Sequence, residues 1–296
     1  MKVKKLAAID IGSNAIRILI SNVVQVEGEH PVFMKSEMIR VPIRLGEDSF
    51  TVGEISPKNI KRVVKAMKAF KLIMKINGVK NYMACATSAL RESSNADELI
   101  AKVKKKAGIK IELIDGKKEA EIISYTTILA DQGHNSNYLY VDVGGGSTEF
   151  SVLKKGKRIV SKSFKAGTVR MINNMVNDKV WLEIEKWIKM NTKGIEKIQL
   201  LGSGGNINKV FKLSNIKDGN PLTYFNLKSF YQDLKKLSYE ERILRYNLNL
   251  DRADVILPAL EIYLKALKWS GATKVFVPKI GLSDGMIKMM YKKHNA

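Results

Sequence analysis

One pattern occurs twice in this sequence, and a pattern that returns once calls for a fold with two similar units. Ala7–Ile20 and Leu139–Val152 each run from an apolar stretch ending in aspartate, through a turn of small residues, into a second β-rich stretch. Asp10 matches Asp142, Gly12 matches Gly144, and Arg17 falls opposite Glu149. Apolar runs on either side of a Gly/Ser/Asn turn read as a strand–turn–strand hairpin. Two such hairpins predict two related α/β domains, residues 1–130 and 131–296. The boundary is placed by the repeat alone, because no Pro/Ser-rich linker or low-complexity tract marks it.

The stretches between and after the hairpins alternate strand and helix signals, as an α/β domain requires. Ser56 and Pro57 announce a helix, with serine as the cap and proline in the first turn. Ile60, Val63, Val64, Met67, Phe70 and Ile73 then recur at helical spacing. The pattern predicts strands over 79–86 and 110–114 and helices over 96–107 and 118–129. Beyond the second hairpin it predicts strands near 198–201 and 274–278. Helices are expected near 207–212, 227–237 and 254–267, with a final helix from Ser283.

Composition excludes several classes. No run of about 18–20 apolar residues is present, so no membrane span is expected. The basic start Met1–Lys5 reaches Asp10 without the long apolar core of a secretion signal. A single cysteine, Cys85, rules out an intrachain disulfide, and His30, His134 and His294 have no companion cysteines for a zinc cluster. A reducing cytoplasm fits these facts. The chain carries 51 Lys and Arg against 29 Asp and Glu, a formal charge of +22, which draws polyanions toward it. Lysines merely solvated on helix faces, such as Lys102–Lys106, give the same excess, and both readings stay open.

The sharpest local chemistry lies in Asp142–Glu149. Three glycines in a row, Gly144, Gly145 and Gly146, let backbone amides approach phosphate oxygens closely, with Ser147 completing the turn. Asp142 and Glu149 bracket that turn and could hold Mg²⁺ directly or through water. A glycine-rich turn by itself is most often only a hairpin turn. Its recurrence as Asp10-Ile-Gly-Ser-Asn14 weakens that reading, since two phosphate loops suit a clamp between duplicated domains. Glu119, in the first turn of a helix after Gly116, is stabilised there by the helix dipole and by itself needs no functional explanation. Thr87, Ser88 and Arg91 place two hydroxyls and a guanidinium on one short connection, a set that suits phosphate and also suits a helix cap beside a surface arginine. Arg17 is either an outward strand position or a ligand. Gly202, Gly204 and Gly205 follow a strand and open a helix, which would turn helical N–H groups toward an anion.

Taken along the whole chain, these motifs resemble the exopolyphosphatase/guanosine-pentaphosphate phosphatase family, a branch of the sugar-kinase, chaperone-ATPase and actin superfamily. Ala8–Asn14 resembles the first phosphate motif, Ile43–Gly46 a short motif after the opening sheet, and Ala86–Arg91 the threonine/arginine substrate segment. Ile114–Ala120 resembles the helix start that carries the catalytic glutamate, and Asp142–Glu149 the second phosphate motif, followed by Gly167–Arg170. Gly202–Asn206 resembles the third glycine motif, and Leu257-Pro258 and Gly281–Gly285 the C-terminal signals. Asp115 stands where serine is more common, and Asn206 where threonine is usual.

The resemblance implies two actin-like, ribonuclease H-like α/β domains with the site in their cleft. Glu119 would be the general base acting on water, with Glu121 as its competitor. Mg²⁺, with Mn²⁺ as a substitute and potassium as a further cation, would bind Asp142 and Glu149, with Asp10 as a third ligand. Gly12, Ser13, Asn14 and the second loop would hold phosphate oxygens together with Thr87, Ser88, Arg91, Arg17 and the third glycine motif. The implied reaction is Mg²⁺-dependent removal of the terminal phosphate of inorganic polyphosphate, with guanosine pentaphosphate as the alternative substrate. Rival readings are a non-catalytic polyphosphate or nucleotide sensor and a sugar-kinase-like phosphotransferase. A membrane partner and a nucleic-acid substrate are not expected, and a homodimer is compatible. The chain stops at residue 296, where long members continue into a helical region, so a short form with less processive cutting is expected.

Overall fold

The first copy of the repeat folds as β1 (Lys2–Ile11) and β2 (Ile16–Gln25), an antiparallel pair in which Asp10 faces Arg17. The computed structural model describes residues 1–126 and 136–293. It divides into two units, Met1–Thr126 with Gly281–Ala296, and Thr127–Ile280.

In the first unit, β3 (Val32–Val41) pairs with β2, while β4 (Asn81–Ala86) and β5 (Glu112–Leu113) continue parallel to β1, in the order β3-β2-β1-β4-β5. Leu6–Ile11 of β1 are all buried. A strand covered on both faces shows such a continuous apolar run instead of alternation. The connections carry α1 (Leu45–Thr51), α2 (Pro57–Ile76), α3 (Ser88–Arg91), α4 (Ala96–Ala107) and α5 (Gly116–Ser124). Ser56 caps α2 by accepting from the Asn59 amide at 3.3 Å, as its sequence predicts. Ile60, Val63, Val64, Met67 and Phe70 of α2 are buried, and at the end of the stripe Met74 takes the buried place expected for Ile73.

The second unit repeats this plan. Its strands are β6 (Tyr138–Val143), β7 (Thr148–Lys154), β8 (Lys157–Phe164), β9 (Gln199–Ser203), β10 (Leu222–Thr223) and β11 (Lys274–Phe276). They lie in the order β10-β11-β9-β6-β7-β8. Read from β8 to β11, the sheet reproduces the first one strand for strand, with β10 added at its edge. The registers agree to the residue: Asp10 lies between Arg17 and Cys85, and Asp142 between Glu149 and Ser203. Helices α6 (Thr168–Ile172), α7 (Asp178–Thr192), α8 (Gly205–Leu213), α9 (Tyr224–Lys235), α10 (Tyr239–Tyr246), α11 (Leu250–Ala253) and α12 (Ile256–Ser270) complete this unit. No described helix is long and apolar enough to cross a membrane.

The division differs from the expected 1–130 and 131–296 in one important respect. The last helix, α13 (Leu282–Lys293), packs on β1, β2, β4 and α5 of the first unit. Its Leu282, Met286, Ile287, Met289 and Met290 supply apolar cover for that sheet. A Cβ on Gly285 would stand 2.3 Å from the Ile122 carbonyl oxygen, so glycine is what lets α13 seat on α5 this closely. The hairpin repeat contains no information about this return. The expected domain boundary at 130, and residues 127–129 of the helix expected over 118–129, lie outside the described residues.

Candidate active site

In the second unit the β6–β7 turn is closed by the Gly144 amide donating to the Ser147 carbonyl at 3.0 Å. Behind it stands the N-terminus of α6. Thr168 N–H donates to the Gly144 carbonyl at 3.0 Å, Val169 N–H to the Gly145 carbonyl at 2.8 Å, and Arg170 Nε to the Gly146 carbonyl at 2.7 Å. All three loop carbonyls are therefore drawn to one side. In a trans peptide the N–H points opposite to the C=O of the same plane, so the amides of Gly145, Gly146 and Ser147 face the other way. The result is a row of backbone donors of the kind that takes anions. A Cβ at Gly167 would lie 2.3 Å from the Gly145 carbonyl oxygen, which explains the glycine that opens this support.

The first unit uses the same device. Gly12 N–H donates to the Ala15 carbonyl at 3.2 Å, and Gly46 N–H at the start of α1 donates to the Ser13 carbonyl at 2.8 Å. The amide of Asn14 is thereby turned to the opposite side. Ile43–Gly46 and Gly167–Arg170, unconnected in sequence, are thus equivalent supports behind equivalent loops.

The carboxylates beside the loops differ between the two units. Asp10 is buried and paired with Arg17, whose Nη1 lies 3.2 Å from Oδ2. Burial raises the Asp10 pKa, and the Arg17 charge and hydrogen bond oppose that rise. Where the first unit has this ion pair, the second has Asp142 directly opposite Glu149. Like charges facing across strands repel, and each carboxylate here is held by hydroxyls. Glu149 Oε1 accepts from Ser147 Oγ at 2.6 Å and Ser163 Oγ at 2.8 Å, and Asp142 Oδ2 accepts from Tyr140 at 3.2 Å. Two facing carboxylates with oxygen neighbours are the donor set that a hard cation such as Mg²⁺ prefers. Among the described residues no group of three or more His, Cys, Asp or Glu side chains is placed to hold a metal ion.

Ser13, Ser88, Arg91 and the helix of Glu119 are brought into one network in the first unit. Ser13 Oγ and Ser88 Oγ are 3.0 Å apart and buried. Thr87 N–H donates to Ile11 at the end of β1, and Ser49 of α1 donates to the Ala89 carbonyl at 2.6 Å. Arg91 Nη1 donates to the Ile114 carbonyl at 2.8 Å, tying this connection to the residue before Asp115. Asp115 then caps α5 by accepting from Lys118 N–H at 2.7 Å, a task that the more usual serine performs equally well. Glu119 follows in the first turn of α5. Glu121 is engaged on the surface with Lys118 Nζ at 3.0 Å.

Gly202 lies inside β9, buried against Val275, Ile207 and Tyr263, so its missing Cβ has a packing reason. Gly204 takes φ +114° at the cap of α8 and sits against the Val143 carbonyl, where a side chain would not fit. Gly205 begins α8. The residues that sequence reasoning missed are Tyr140, Ser163 and the structural role of Arg170. Ser163 belongs to β8, an exposed edge strand without apolar periodicity. Arg170 stood in a recognisable motif, but only its burial shows what it does.

Cys85 is fully buried, and its pKa is pushed up to about 12 by burial first and then by the charges of Glu112, Asp10 and Glu119. The native thiol is therefore expected to ignore a disulfide reagent at pH 8, releasing chromophore only when denaturant is added. Rapid stoichiometric reaction of the folded protein would contradict this placement.

Residues 22–294 match the Ppx/GppA phosphatase family. A bifunctional 3-dehydroquinate synthase/phosphatase of Fusobacterium nucleatum is 34% identical over 209 residues, 66% of this chain and 31% of that protein. A putative exopolyphosphatase of Haemophilus influenzae is 24% identical over 97% of this chain and 90% of its own length. The chain spans about half of exopolyphosphatase 1 of Mycobacterium leprae, at 27% identity over 59% of this chain. Among solved structures, an exopolyphosphatase from Cytophaga hutchinsonii shares the fold with a TM-score of 0.83, at 22% identity over 98% of both chains. An Aquifex aeolicus Ppx/GppA family member shares it with a TM-score of 0.77, at 24% identity over all of both chains.

Proposed function

This chain belongs to the Ppx/GppA phosphatase family, and from that premise we propose that it removes the terminal phosphate of inorganic polyphosphate in a Mg²⁺-dependent hydrolysis. The observation that carries the reading is the Gly144–Ser147 turn, whose carbonyls are drawn back by α6 while its amides face the other way between Asp142 and Glu149. Such a turn holds phosphate oxygens by fixed dipoles that need no reorganisation during reaction. Asp142 and Glu149 would hold the metal ion, which when bound withdraws charge from the phosphoryl oxygens. The Gly12–Asn14 turn, Ser88 and Arg91 would orient the phosphate chain, and Glu119 would accept the proton of the attacking water. The P–O bond to the leaving phosphate breaks as the water oxygen bonds to phosphorus, the bonding pair staying on the leaving oxygen, and Glu119 passes the water's proton on to that phosphate or to solvent. The buried single thiol accords with work in a reducing cytoplasm.

Phosphate release from polyphosphate, guanosine pentaphosphate and ATP, each with and without Mg²⁺, tests the proposal. Polyphosphate is expected to be the best substrate and to need the metal. Its apparent affinity should fall with added salt more steeply than that of guanosine pentaphosphate, because a longer anion meets more of the basic surface. A clear preference for guanosine pentaphosphate would replace the substrate but keep the reaction. Tight binding of polyphosphate without release of phosphate from any of the three would make the chain a sensor.

A further inference from the structure

The second unit holds a cavity of about 340 Å³ that belongs to neither glycine turn nor carboxylate pair. Its walls are Asn208, Lys209 and Lys212 of α8, Asn247 and Asn249 from the connection between α10 and α11, and Arg252 of α11. Three cations and three carboxamides line it. Among the described residues that line it there is no carboxylate, and no aromatic or aliphatic side chain offers a face on which a base could stack.

The wall is fixed in place. Lys209 Nζ donates to the Asn247 carbonyl at 3.0 Å, joining α8 to the connection opposite. Asn247 sits in the left-handed region at φ 47°, closing α10, and Leu248 beside it is buried. Burial holds the Lys209 ammonium below the usual lysine range, and the charges of Arg252 and Lys212 push it the same way. Like charges gathered in a concave wall without a carboxylate are relieved by an anion. The amide oxygen of Asn208 is buried and accepts no hydrogen bond among the described residues.

We propose that this cavity is a second phosphate site, taking a stretch of an oligophosphate chain on Lys209, Lys212 and Arg252. Arginine binds phosphate oxygens bidentately, lysine binds them as a point charge, and carboxamide N–H groups complete the set. Three cations call for more than one phosphate group, and the lack of a stacking surface makes the inorganic chain sufficient without a nucleoside. Asn208 lies one helical turn from the Gly204–Gly205 cap that packs on the end of β6, so one rigid helix links this cavity to the strand that leads into the Gly144 turn. The site stands whether or not the chain hydrolyses phosphate.

The test is protection of lysines from amine acylation in the full chain without Mg²⁺, mapped by mass spectrometry. Inorganic tripolyphosphate, GTP and sulfate are compared at one ionic strength. Tripolyphosphate is expected to slow labelling of Lys209 and Lys212 several-fold while Lys58 and Lys61 of α2 react as before. Calorimetry of the surface variant Lys212→Glu should lose one tripolyphosphate-binding event and keep the other. Unchanged labelling at Lys209 and Lys212, equal slowing by sulfate, or slowing by GTP alone would each overturn the proposal, as would unaltered binding in Lys212→Glu. Phosphate release is a separate measurement, so failure here is distinguishable from failure of the hydrolase reading.

Discussion

Replacing Glu119 with glutamine is expected to lower turnover of polyphosphate by about 10²–10⁴-fold, the usual contribution of a positioned general base. The substitution keeps the size and the hydrogen-bonding shape of the side chain and removes its basicity. Substrate binding should change far less, because the proposed phosphate contacts are backbone amides and residues of other elements. The Asp115 cap and the Arg91 bond to Ile114 hold the start of α5 whatever stands at 119. A kcat that falls with little change in KM is the signature of an interaction made in the transition state. Glu121→Gln supplies the control, since that side chain serves an exposed pair with Lys118 and its loss should be nearly silent. Near-normal turnover in folded Glu119→Gln would remove the base from this residue.

Asp142→Asn and Glu149→Gln are expected to separate metal response from stability in opposite directions. Residues that merely support metal ligands typically change metal affinity 10–100-fold when mutated, so removing a ligand charge should move the Mg²⁺ midpoint of activity by roughly that much or more. Without metal, the same substitutions relieve two carboxylates that face each other across β6 and β7. The metal-free variants should then melt at or above the temperature of the metal-free parent. Ser163→Ala, which takes one hydroxyl from Glu149, should shift the midpoint less than Glu149→Gln. Identical Mg²⁺ curves in both carboxylate variants, checked by Mn²⁺ binding in solution, would end the metal assignment.

The hairpin repeat was readable because its chemistry is local. An apolar run, an aspartate and a turn of small residues state the strand, its end and the loop in one stretch of chain, and the registers of Asp10 and Asp142 follow. The loop supports were visible as motifs but not as supports. Ile43–Gly46 and Gly167–Arg170 do not look alike, and only their bonds to Ser13 and to the Gly144–Gly146 carbonyls make them equivalent. Edge strands β3 and β8 have one side in water and carry mixed residues, so neither period marks them. Ser163 was hidden with β8. Gly202, which reads as part of a phosphate motif, is packed inside β9 against Tyr263, a packing reason for the glycine that its sequence did not show.

The return of α13 to the first sheet bears on the order in which this chain can mature during synthesis. The second unit is one continuous stretch and can close as soon as residue 280 has left the ribosome. The first unit, although made earlier, must wait with one side of β1 uncovered until Met286–Met290 arrive. The half of the protein that carries Glu119 is therefore the last to be finished, and a released chain ending at residue 280 should hold a folded second unit beside a first unit still open to proteases.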